Sequence, residues 1–284
     1  MKKLLVFGEV LFDLFETQSE IGGAPFNVAA HFSALGGKAD LVSAVGRDEL
    51  GAKALLELQS RGVGSAYVKA LPYPTGYCKV TLQNNTPSYE LVREVAYDHI
   101  PACAPNAQEY GALYYGTLAC RNEESLKTLE GLFPLCTERF YDVNIRPPFY
   151  SRALIRRLLS KATTLKISRE EADVLCPCHT PEQYLNDVAN EFANLKRILF
   201  TMDCDGSLLF DTATRTLTYA PKPKATPVST VGAGDALSAC YLYHTFKGSD
   251  IPTTLEACSA LADHVITALG AVPALPEELK GKIV

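Results

Sequence analysis

The sequence predicts an α/β fold with a doubly wound, mostly parallel sheet, helices on both of its faces, and a small β-sheet lid. Short apolar runs alternate with helix-like segments along most of the chain, which is typical of a parallel sheet covered on both faces. One long extended segment interrupts this alternation and indicates a second, smaller sheet. Parallel sheets of this kind bind ligands at the carboxyl ends of their strands, so we expect the site residues there.

The elements of the main sheet follow from local patterns. Short apolar runs predict strands, and apolar residues that recur every three or four positions predict helices. In the amino-terminal part, strands are predicted at residues 3–8 and 40–45 and helices at residues 26–35 and 48–60, each helix being closed by glycine. Further along, strands are predicted at residues 112–116, 140–145, 164–167 and 197–200, with helices at residues 125–136, 152–161 and 170–176.

The extended segment at residues 76–94 is predicted to form a β-hairpin that turns at Asn84-Asn85. An isolated hairpin is only marginally stable in water, so it needs a partner or further strands, for which residues 9–21 are the candidates. We therefore expect residues 1–284 to form a single α/β domain whose lid comprises roughly residues 9–25 and 72–95. One face of this hairpin is expected to close over the ligand site. The other face is expected to pack on the same hairpin of a second copy, which predicts a homodimer that pairs through the lid.

The composition is that of an ordinary globular protein, with 47% apolar and 21% charged residues. A formal net charge of −5 and the lack of a long basic run argue against nucleic acid as a partner. The first apolar run is too short for a signal peptide or a membrane span, so we expect no membrane partner and a cytoplasmic location. Nine irregularly spaced cysteines favour reduced thiols, and Cys176-Pro177-Cys178-His179 fits a surface loop better than a zinc site.

The most informative motif is Ser229-Thr230-Val231-Gly232-Ala233-Gly234-Asp235, which opens a helix predicted over residues 233–246. Its glycines let the backbone turn tightly and approach a ligand. Unpaired N–H groups and the positive end of the helix dipole favour a phosphate group at such a turn. Asp235 could take a proton from a hydroxyl that attacks this phosphate. The alternative is that Asp235 is only an acidic residue in a first helical turn, where acids are common.

Four motifs occur in one order along the chain: Gly22-Gly23-Ala24-Pro25-Phe26-Asn27-Val28-Ala29-Ala30, Leu35-Gly36-Gly37, Val45-Gly46-Arg47-Asp48 and the turn from Gly232 to Asp235. In this order and rough spacing they resemble the ribokinase-like (PfkB) carbohydrate kinases, over nearly the whole chain. Gly76-Tyr77, Lys166-Ile167-Ser168 and residues 144–150 are most similar to the fructokinase branch of that family. The resemblance implies a doubly wound α/β domain with a β lid.

The resemblance also implies a role for each site residue. Asp235 is the expected catalytic base, and the backbone N–H groups of Gly232, Ala233 and Gly234 are expected to stabilise the transferring phosphoryl group. The expected sugar contacts are Asp13, Gly23, Asn27, Asn144 and Arg146. The expected nucleotide contacts are Ser168, Thr201, Asp203, Gly206, Thr230 and Gly232. Glu171 is expected to bind Mg²⁺ through water.

Residue type alone leaves alternatives open at several of these positions. Asp13 also fits a solvated loop carboxylate, and Asn27 also fits the start of a helix. Arg146 also fits a salt bridge at a strand end, because most arginines are structural or solvated. Glu171 also fits an acidic residue in the first turn of a helix.

Three residues depart from the family's pattern. Ser168 stands where many members have asparagine, although its hydroxyl can still position water. Ser229 replaces an aspartate that often frames a monovalent-cation loop, which weakens the case for K⁺ as an activator. Asp203 replaces the first glycine of a nucleotide motif, and its negative charge near a triphosphate is expected to weaken ATP binding unless magnesium or a side chain that turns away relieves the repulsion.

These residues predict an ATP-dependent sugar kinase, with Mg²⁺, that phosphorylates a primary hydroxyl and has fructose as its leading acceptor. A 2-keto-3-deoxygluconate kinase and a nucleoside kinase are the alternatives among enzymes. An acceptor that already carries phosphate is less favoured, because no clear pair of basic residues lies near the expected sugar site beyond Arg146, although Arg93 in the hairpin could supply a second. Asp203 also keeps open a catalytically weak regulatory protein that binds sugar or nucleotide.

Overall fold

The computed structural model describes residues 1–15, 18–83, 86–177, 180–222 and 224–284. The predicted hairpin turn at Asn84-Asn85 lies outside these residues, and so do Cys178 and His179 of the candidate zinc cluster. No helix within the described ranges is both long enough and apolar enough to span a membrane.

The described residues form β-strands, α-helices and short 3-10 helices. The strands are β1 (Lys3–Phe7), β2 (Leu11–Leu14), β3 (Ser19–Gly22), β4 (Ala39–Gly46), β5 (Gly64–Leu71), β6 (Gly76–Gln83), β7 (Thr86–Leu91), β8 (Tyr110–Gly116), β9 (Glu138–Asp142), β10 (Thr164–Ser168), β11 (Arg197–Thr201), β12 (Ser207–Asp211) and β13 (Thr216–Tyr219). The α-helices are α1 (Ala24–Ala34), α2 (Glu49–Ser60), α3 (Glu123–Leu132), α4 (Arg152–Leu159), α5 (Arg169–Leu175), α6 (Pro181–Glu191), α7 (Ala233–Lys247), α8 (Ile251–Ile266) and α9 (Glu277–Ile283). The 3-10 helices are Ala96–His99, Ala107–Glu109, Leu118–Arg121, Phe133–Leu135 and Asp203–Asp205.

The main sheet has the strand order β13-β12-β11-β10-β9-β8-β1-β4-β5. All strands from β11 to β5 pair in parallel, and β12 and β13 extend the β11 edge in antiparallel pairing. Helices pack on both faces because parallel strands need crossover connections. The mostly parallel, doubly covered sheet predicted from the alternation is therefore confirmed.

A second, smaller sheet has the strand order β3-β2-β6-β7. Strand β2 pairs antiparallel with β3 and parallel with β6, and β6 pairs antiparallel with β7. The hairpin predicted over residues 76–94 is thus confirmed, and its additional strands come from the predicted segment at residues 9–21. The extent of the single domain and the role of this small sheet as a lid stay predictions.

Two apolar cores lie on the two faces of the main sheet. In β1, Leu5 and Phe7 belong to one core, while Leu4 and Val6 belong to the other, and all four side chains are fully buried. Residues from α3, α4, α5 and α6 line the first core, and residues from α1, α2, α7, α8 and α9 line the second. Burial on both faces explains why the strand is apolar throughout rather than alternating.

Two predicted boundaries moved for identifiable reasons. Strand β9 ends at Asp142, earlier than predicted, because Asn144 has a φ of 41° in the left-handed region and cannot continue a strand. Helix α3 ends at Leu132 rather than near residue 136, because Pro134 has no N–H group to continue the helix. The sequence patterns did not assign β5, β12, β13, α6, α8 and α9. The residues of the edge strand β5 are exposed or half-buried, so this strand lacks a clear apolar run.

Candidate active site at the carboxyl edge of the sheet

The predicted site residues converge at one edge of the main sheet. Strands β1, β9, β10 and β11 run in parallel, so their carboxyl ends share this edge. The amino termini of α1 and α7 reach the same edge. Gly23, at the start of α1, packs against Glu9 just after β1, and Asn27 of α1 contacts Asp235 of α7. Ligand binding at the strand ends is the expected arrangement for an open α/β sheet.

Asp235 lies in the first turn of α7, next to the glycine turn. Asn27 Nδ2 donates a hydrogen bond to Asp235 Oδ2 over 2.8 Å, which holds one carboxylate oxygen in place. Burial raises the pKa of Asp235, while the hydrogen bond from Asn27 and the charges of Lys166 and Arg146 oppose that rise. A carboxylate with a raised pKa is a stronger base than a solvated aspartate, which suits proton abstraction from a hydroxyl.

Gly232 precedes α7 in the left-handed conformation, with φ 84° and ψ −8°. A Cβ atom at this position would lie 2.3 Å from the carbonyl oxygen of Ala271, so only glycine fits. The same carbonyl accepts a hydrogen bond from His31 Nε2 over 2.9 Å. Burial lowers the pKa of His31 to about 4, which keeps the ring neutral. The turn is therefore held in place by α1 and by the segment that follows α8.

A buried ion pair lies beside this turn. Lys166 Nζ is 3.0 Å from Asp142 Oδ1, and the two residues occupy the neighbouring strands β10 and β9. Asp142 also accepts hydrogen bonds from the hydroxyls of Tyr114, over 3.2 Å, and Ser238, over 3.4 Å. A Cβ atom on Gly234 would lie 3.1 Å from Lys166 Nζ, so the ammonium group is adjacent to the backbone of the turn.

The electrostatics of this pair keep Lys166 positively charged. Burial by itself would lower the pKa of Lys166, but the carboxylates of Asp142, Glu171 and Asp235 outweigh burial and raise it. Burial raises the pKa of Asp142 to about 6 in spite of the nearby ammonium group. A fixed positive charge at this point complements the negative charge of a phosphoryl group in transfer.

Glu171 follows β10 and is held by backbone N–H groups. Its Oε1 accepts from the N–H of Ile145 and its Oε2 accepts from the N–H of Ser168, both over 2.8 Å. In return, Ser168 Oγ accepts from the N–H of Glu171 over 3.2 Å, which completes a capping box at the start of α5. Each carboxylate oxygen retains a lone pair, so Glu171 can also accept a hydrogen bond from water.

This donor set fits a Mg²⁺ ion that is held mainly by phosphate oxygens and water. In the part of the chain that the structure describes, no group of three or more His, Cys, Asp or Glu side chains could hold a metal by itself. Mg²⁺ in phosphate-transfer sites usually keeps several waters and takes only one or two carboxylates. The oxygen donors of Glu171 suit that role.

The residues predicted to contact sugar come from three parts of the fold. Asp13 lies on β2 of the small sheet, Gly23 and Asn27 lie at the start of α1, and Asn144 and Arg146 follow β9. Burial raises the pKa of Asp13, and the charge of Arg146 opposes that rise, as it does at Asp235. Arg146 thus interacts electrostatically with acids of two elements, Asp13 of β2 and Asp235 of α7.

Four of the residues predicted to contact nucleotide lie together at the ends of two neighbouring strands, while the others lie at the glycine turn. Ser168 and Thr201 are register partners at the ends of β10 and β11, and Asp203 and Gly206 follow at once. Asp203 has a φ of 48°, a conformation that glycine adopts more easily. Burial and a hydrogen bond with Glu170 raise the pKa of Asp203, so its side chain lies beside another carboxyl group. Thr230 lies in the loop before the glycine turn, where its carbonyl accepts from Ala233 over 3.3 Å.

Three buried charged residues at this edge were not among the predicted site residues: Glu9, Asp142 and Lys166. Lys166 lies within β10, Asp142 ends β9 after two buried aromatic residues, and Glu9 follows the apolar strand β1. A buried charge is costly unless it has a specific partner or role, so a charged residue next to apolar strand residues was the signal available in the sequence.

Comparison with known proteins identifies relatives along the whole chain. A model of the pfkB family, described as carbohydrate kinases, matches residues 1–278. An ATP-dependent 6-phosphofructokinase from Thermoanaerobacterium thermosaccharolyticum is 26% identical over 303 residues, which cover 96% of this chain and 91% of the relative. The probable fructokinase-4 from Arabidopsis thaliana is 27% identical over 322 residues, which cover 98% of this chain and 95% of the relative.

Solved structures share the fold. A fructokinase from Xylella fastidiosa with bound ATP matches with a TM-score of 0.87 and 20% identity, covering 100% of this chain and 98% of that chain. At this level of identity the likeness concerns the fold alone. Together with the family match, it confirms the fold and the family resemblance that the motifs indicated.

Proposed function

The chain belongs to the pfkB family of carbohydrate kinases and is a phosphotransferase that acts on a sugar hydroxyl; we propose that it transfers the γ-phosphoryl group of ATP to a primary hydroxyl of fructose. The observation that supports this most is the position of Asp235. Its carboxylate is held by Asn27 over 2.8 Å, next to the glycine turn at the start of α7. A base and an anion-binding turn side by side are the parts that phosphoryl transfer to an alcohol requires.

In the proposed reaction, Asp235 takes the proton of the primary hydroxyl as the hydroxyl oxygen attacks the γ-phosphorus. The new oxygen–phosphorus bond forms while the bond to the β,γ-bridging oxygen breaks, and ADP leaves. The N–H groups of Gly232 and Gly234, with the charge of Lys166 beside them, stabilise the negative charge on the transferring group, whereas the expected third donor, the N–H of Ala233, already donates to the carbonyl of Thr230 over 3.3 Å. Mg²⁺, when bound through water to Glu171, would neutralise charge on the phosphates of ATP.

The acceptor is proposed from two lines of support. The segments at residues 76–77, 144–150 and 166–168 resemble the fructokinase branch, and a relative named as a probable fructokinase is similar over 98% of the chain. A phosphorylated fructose is the second candidate, because another relative is named as an ATP-dependent 6-phosphofructokinase. The guanidinium group of Arg93 lies 4.8 Å from the ring centroid of Phe149, which adds a positive charge next to the segment at residues 144–150.

A coupled assay of ADP release tests the proposal. The panel comprises fructose, other hexoses, fructose 6-phosphate, 2-keto-3-deoxygluconate and nucleosides. We expect fructose to give the highest kcat/KM. A higher kcat/KM with fructose 6-phosphate would select the second candidate, and no acceptor-dependent ADP release from the folded protein would favour the binding protein without catalysis.

Replacing Asp203 with glycine is expected to lower the KM for ATP by about threefold to tenfold, since one partly screened like charge near the triphosphate costs on the order of 1 kcal/mol. The KM for the sugar should not change. Asp203→Asn is the control, because it removes the charge and keeps the left-handed backbone of a non-glycine residue. An unchanged ATP constant in both variants would mean that this side chain acts on Glu170 rather than on the nucleotide.

We also expect a homodimer that pairs through the small sheet. Light scattering should give about twice the chain mass of 30.9 kDa, and a mass near 30.9 kDa at micromolar concentration would contradict this. If the small sheet closes over the sugar, it excludes water that would otherwise accept the phosphoryl group. Shortening the β6–β7 hairpin should then raise the ratio of ATP hydrolysis to sugar phosphorylation, and an unchanged ratio would refute the lid.

A further inference from the structure

Glu9 is a buried carboxyl group at the site edge to which the mechanism above gives no role. It lies between β1 and β2 and is 3% exposed. Its Oε2 atom is buried and has no hydrogen-bond partner among the described residues. A buried polar atom without a partner is costly and therefore uncommon in folded proteins, so this oxygen calls for an explanation.

Glu9 borders the residues already predicted to contact sugar. A Cβ atom on Gly23 would lie 2.6 Å from the carbonyl oxygen of Glu9 and 3.4 Å from its Cγ, so the Glu9 side chain passes alongside that glycine. Asn27, one helical turn further on, binds Asp235 through Nδ2 and also has a buried Oδ1 without a partner in the described part of the chain. The charges of Arg146 and Asp235 both act on Glu9. Glu9 therefore lies next to a predicted sugar contact and interacts electrostatically with the candidate base.

Arg121, the other cation that acts on Glu9, already has a counter-ion. Its Nε and Nη2 donate to the two carboxylate oxygens of Asp98 over 2.6 and 2.8 Å, and Nη2 also donates to the carbonyl of Val92 over 2.6 Å. This bidentate pair with Asp98 offsets much of the guanidinium charge, although Nη1 of Arg121 is buried without a hydrogen-bond partner in the described residues. Glu9 Oε2 accepts no hydrogen bond from Arg121 and remains available to a ligand.

Three carboxyl groups beside the expected sugar contacts oppose the binding of an anionic acceptor. Glu9, Asp13 and Asp235 all interact electrostatically with Arg146, while Arg121 is paired with Asp98. Burial raises the pKa of all three carboxyl groups, to about 7 for Glu9, so Glu9 carries its full negative charge only above neutral pH. A sugar hydroxyl can donate a hydrogen bond to a carboxylate, whereas a phosphate or carboxylate substituent would be repelled by it.

We propose that Glu9 is a further specificity-determining residue: its unpaired carboxylate oxygen accepts a hydrogen bond from a hydroxyl of the acceptor and selects uncharged sugars over phosphorylated or carboxylated ones. This inference rests on the proposed function and narrows its substrate class. It predicts that the second candidate acceptor, fructose 6-phosphate, is disfavoured by the charge of one residue.

The test compares the wild-type enzyme with Glu9→Gln at about pH 8, above the pKa of about 7 for this group. Glu9→Gln should raise the KM for fructose about tenfold, as expected for the loss of a hydrogen bond to a charged group. The preference for fructose over fructose 6-phosphate, as a ratio of kcat/KM values, should fall about tenfold with the lost repulsion. The KM for ATP and the unfolding temperature should stay unchanged.

Glu109→Gln is the matched control, because it makes the same change at an exposed position just before β8, at the opposite edge of the sheet. It should change none of these constants. An unchanged fructose KM in folded Glu9→Gln would overturn the proposal. Equal increases in both KM values with a lowered unfolding temperature would assign Glu9 a structural role and overturn it as well.

If Glu9→Gln does not fold, Glu9→Asp keeps the charge and withdraws the carboxylate by one methylene group. It should raise the fructose KM and keep the preference against fructose 6-phosphate, and an unchanged fructose KM there would also overturn the proposal. Failure of the function itself is separate: a wild-type enzyme that phosphorylates no neutral sugar rejects the proposed function, whereas an active wild type with an indifferent Glu9→Gln variant rejects only the role of Glu9.

Discussion

Asp235→Asn is expected to lower the turnover number by about a hundredfold to ten-thousandfold, the usual range for loss of a general base. Asparagine keeps the shape of the side chain and can still contact Asn27, but it cannot take the proton of the sugar hydroxyl. The KM for the sugar should change little, since the hydroxyl contacts remain. Steady-state ADP release with saturating ATP and fructose measures the effect.

Asp250→Asn is the control for this experiment, because Asp250 also stands at the start of a helix, where its carboxylate accepts from the N–H of Thr253 over 2.8 Å. It should leave turnover unchanged.

In the wild type, burial raises the pKa of Asp235, so the carboxylate becomes protonated at a higher pH than a solvated aspartate does. Activity should therefore fall as the pH drops through that raised pKa, and Asp235→Asn should lose this acid limb. A variant with more than half of the wild-type turnover would refute the base assignment.

Gly232→Ala is expected to lower turnover by about a hundredfold, the effect of displacing a reacting group by roughly 1 Å or losing one anion-stabilising donor. The added Cβ would lie 2.3 Å from the carbonyl oxygen of Ala271, a backbone atom that His31 holds in place. The turn must therefore shift away from its position beside Asp235. The variant should therefore have a lower kcat although it still contains Asp235, the candidate base.

Gly248→Ala separates this clash from general backbone strain. Gly248 follows the other end of α7 with a φ of 72°, and a Cβ atom there would meet nothing within 4 Å. Alanine at either glycine bears the cost of a left-handed conformation, about 1–2 kcal/mol. Gly248→Ala should lower the unfolding temperature without changing kcat. If the two variants lost turnover equally, strain rather than the position of the turn would explain the result.

Much of the fold could be predicted because its elements have strong local signals. The continuous apolar run of β1 is typical of a strand that is buried on both faces, and the alternation in the hairpin at residues 76–94 matches the period of a strand. Boundaries were less predictable, since the end of β9 depends on the left-handed backbone of Asn144. The edge strand β5 was not assigned. Its residues are half-buried or exposed, so neither face of the strand shows a clear apolar pattern.

The candidate site was predictable where it is local in sequence. Gly232, Gly234 and Asp235 lie within one turn, so their chemistry can be inferred from the motif alone. Glu171 and Ser168 were also named in advance, and they form a capping box that itself depends on a spacing of three residues. The assignment of catalytic and binding roles to these residues stays a prediction until the variants are measured.

By itself, the sequence determined the kinds of elements, their approximate order and the motif that contains the candidate base. Only the tertiary structure decided which distant side chains meet: Asn27 and Asp235 are 208 positions apart, yet they share a hydrogen bond of 2.8 Å. The same holds for Lys166, whose charge lies next to Gly234, and for Glu9, whose oxygen is buried without a protein partner in the described residues. Local patterns report the period of burial along one segment, whereas charge pairing and desolvation depend on which segments pack together.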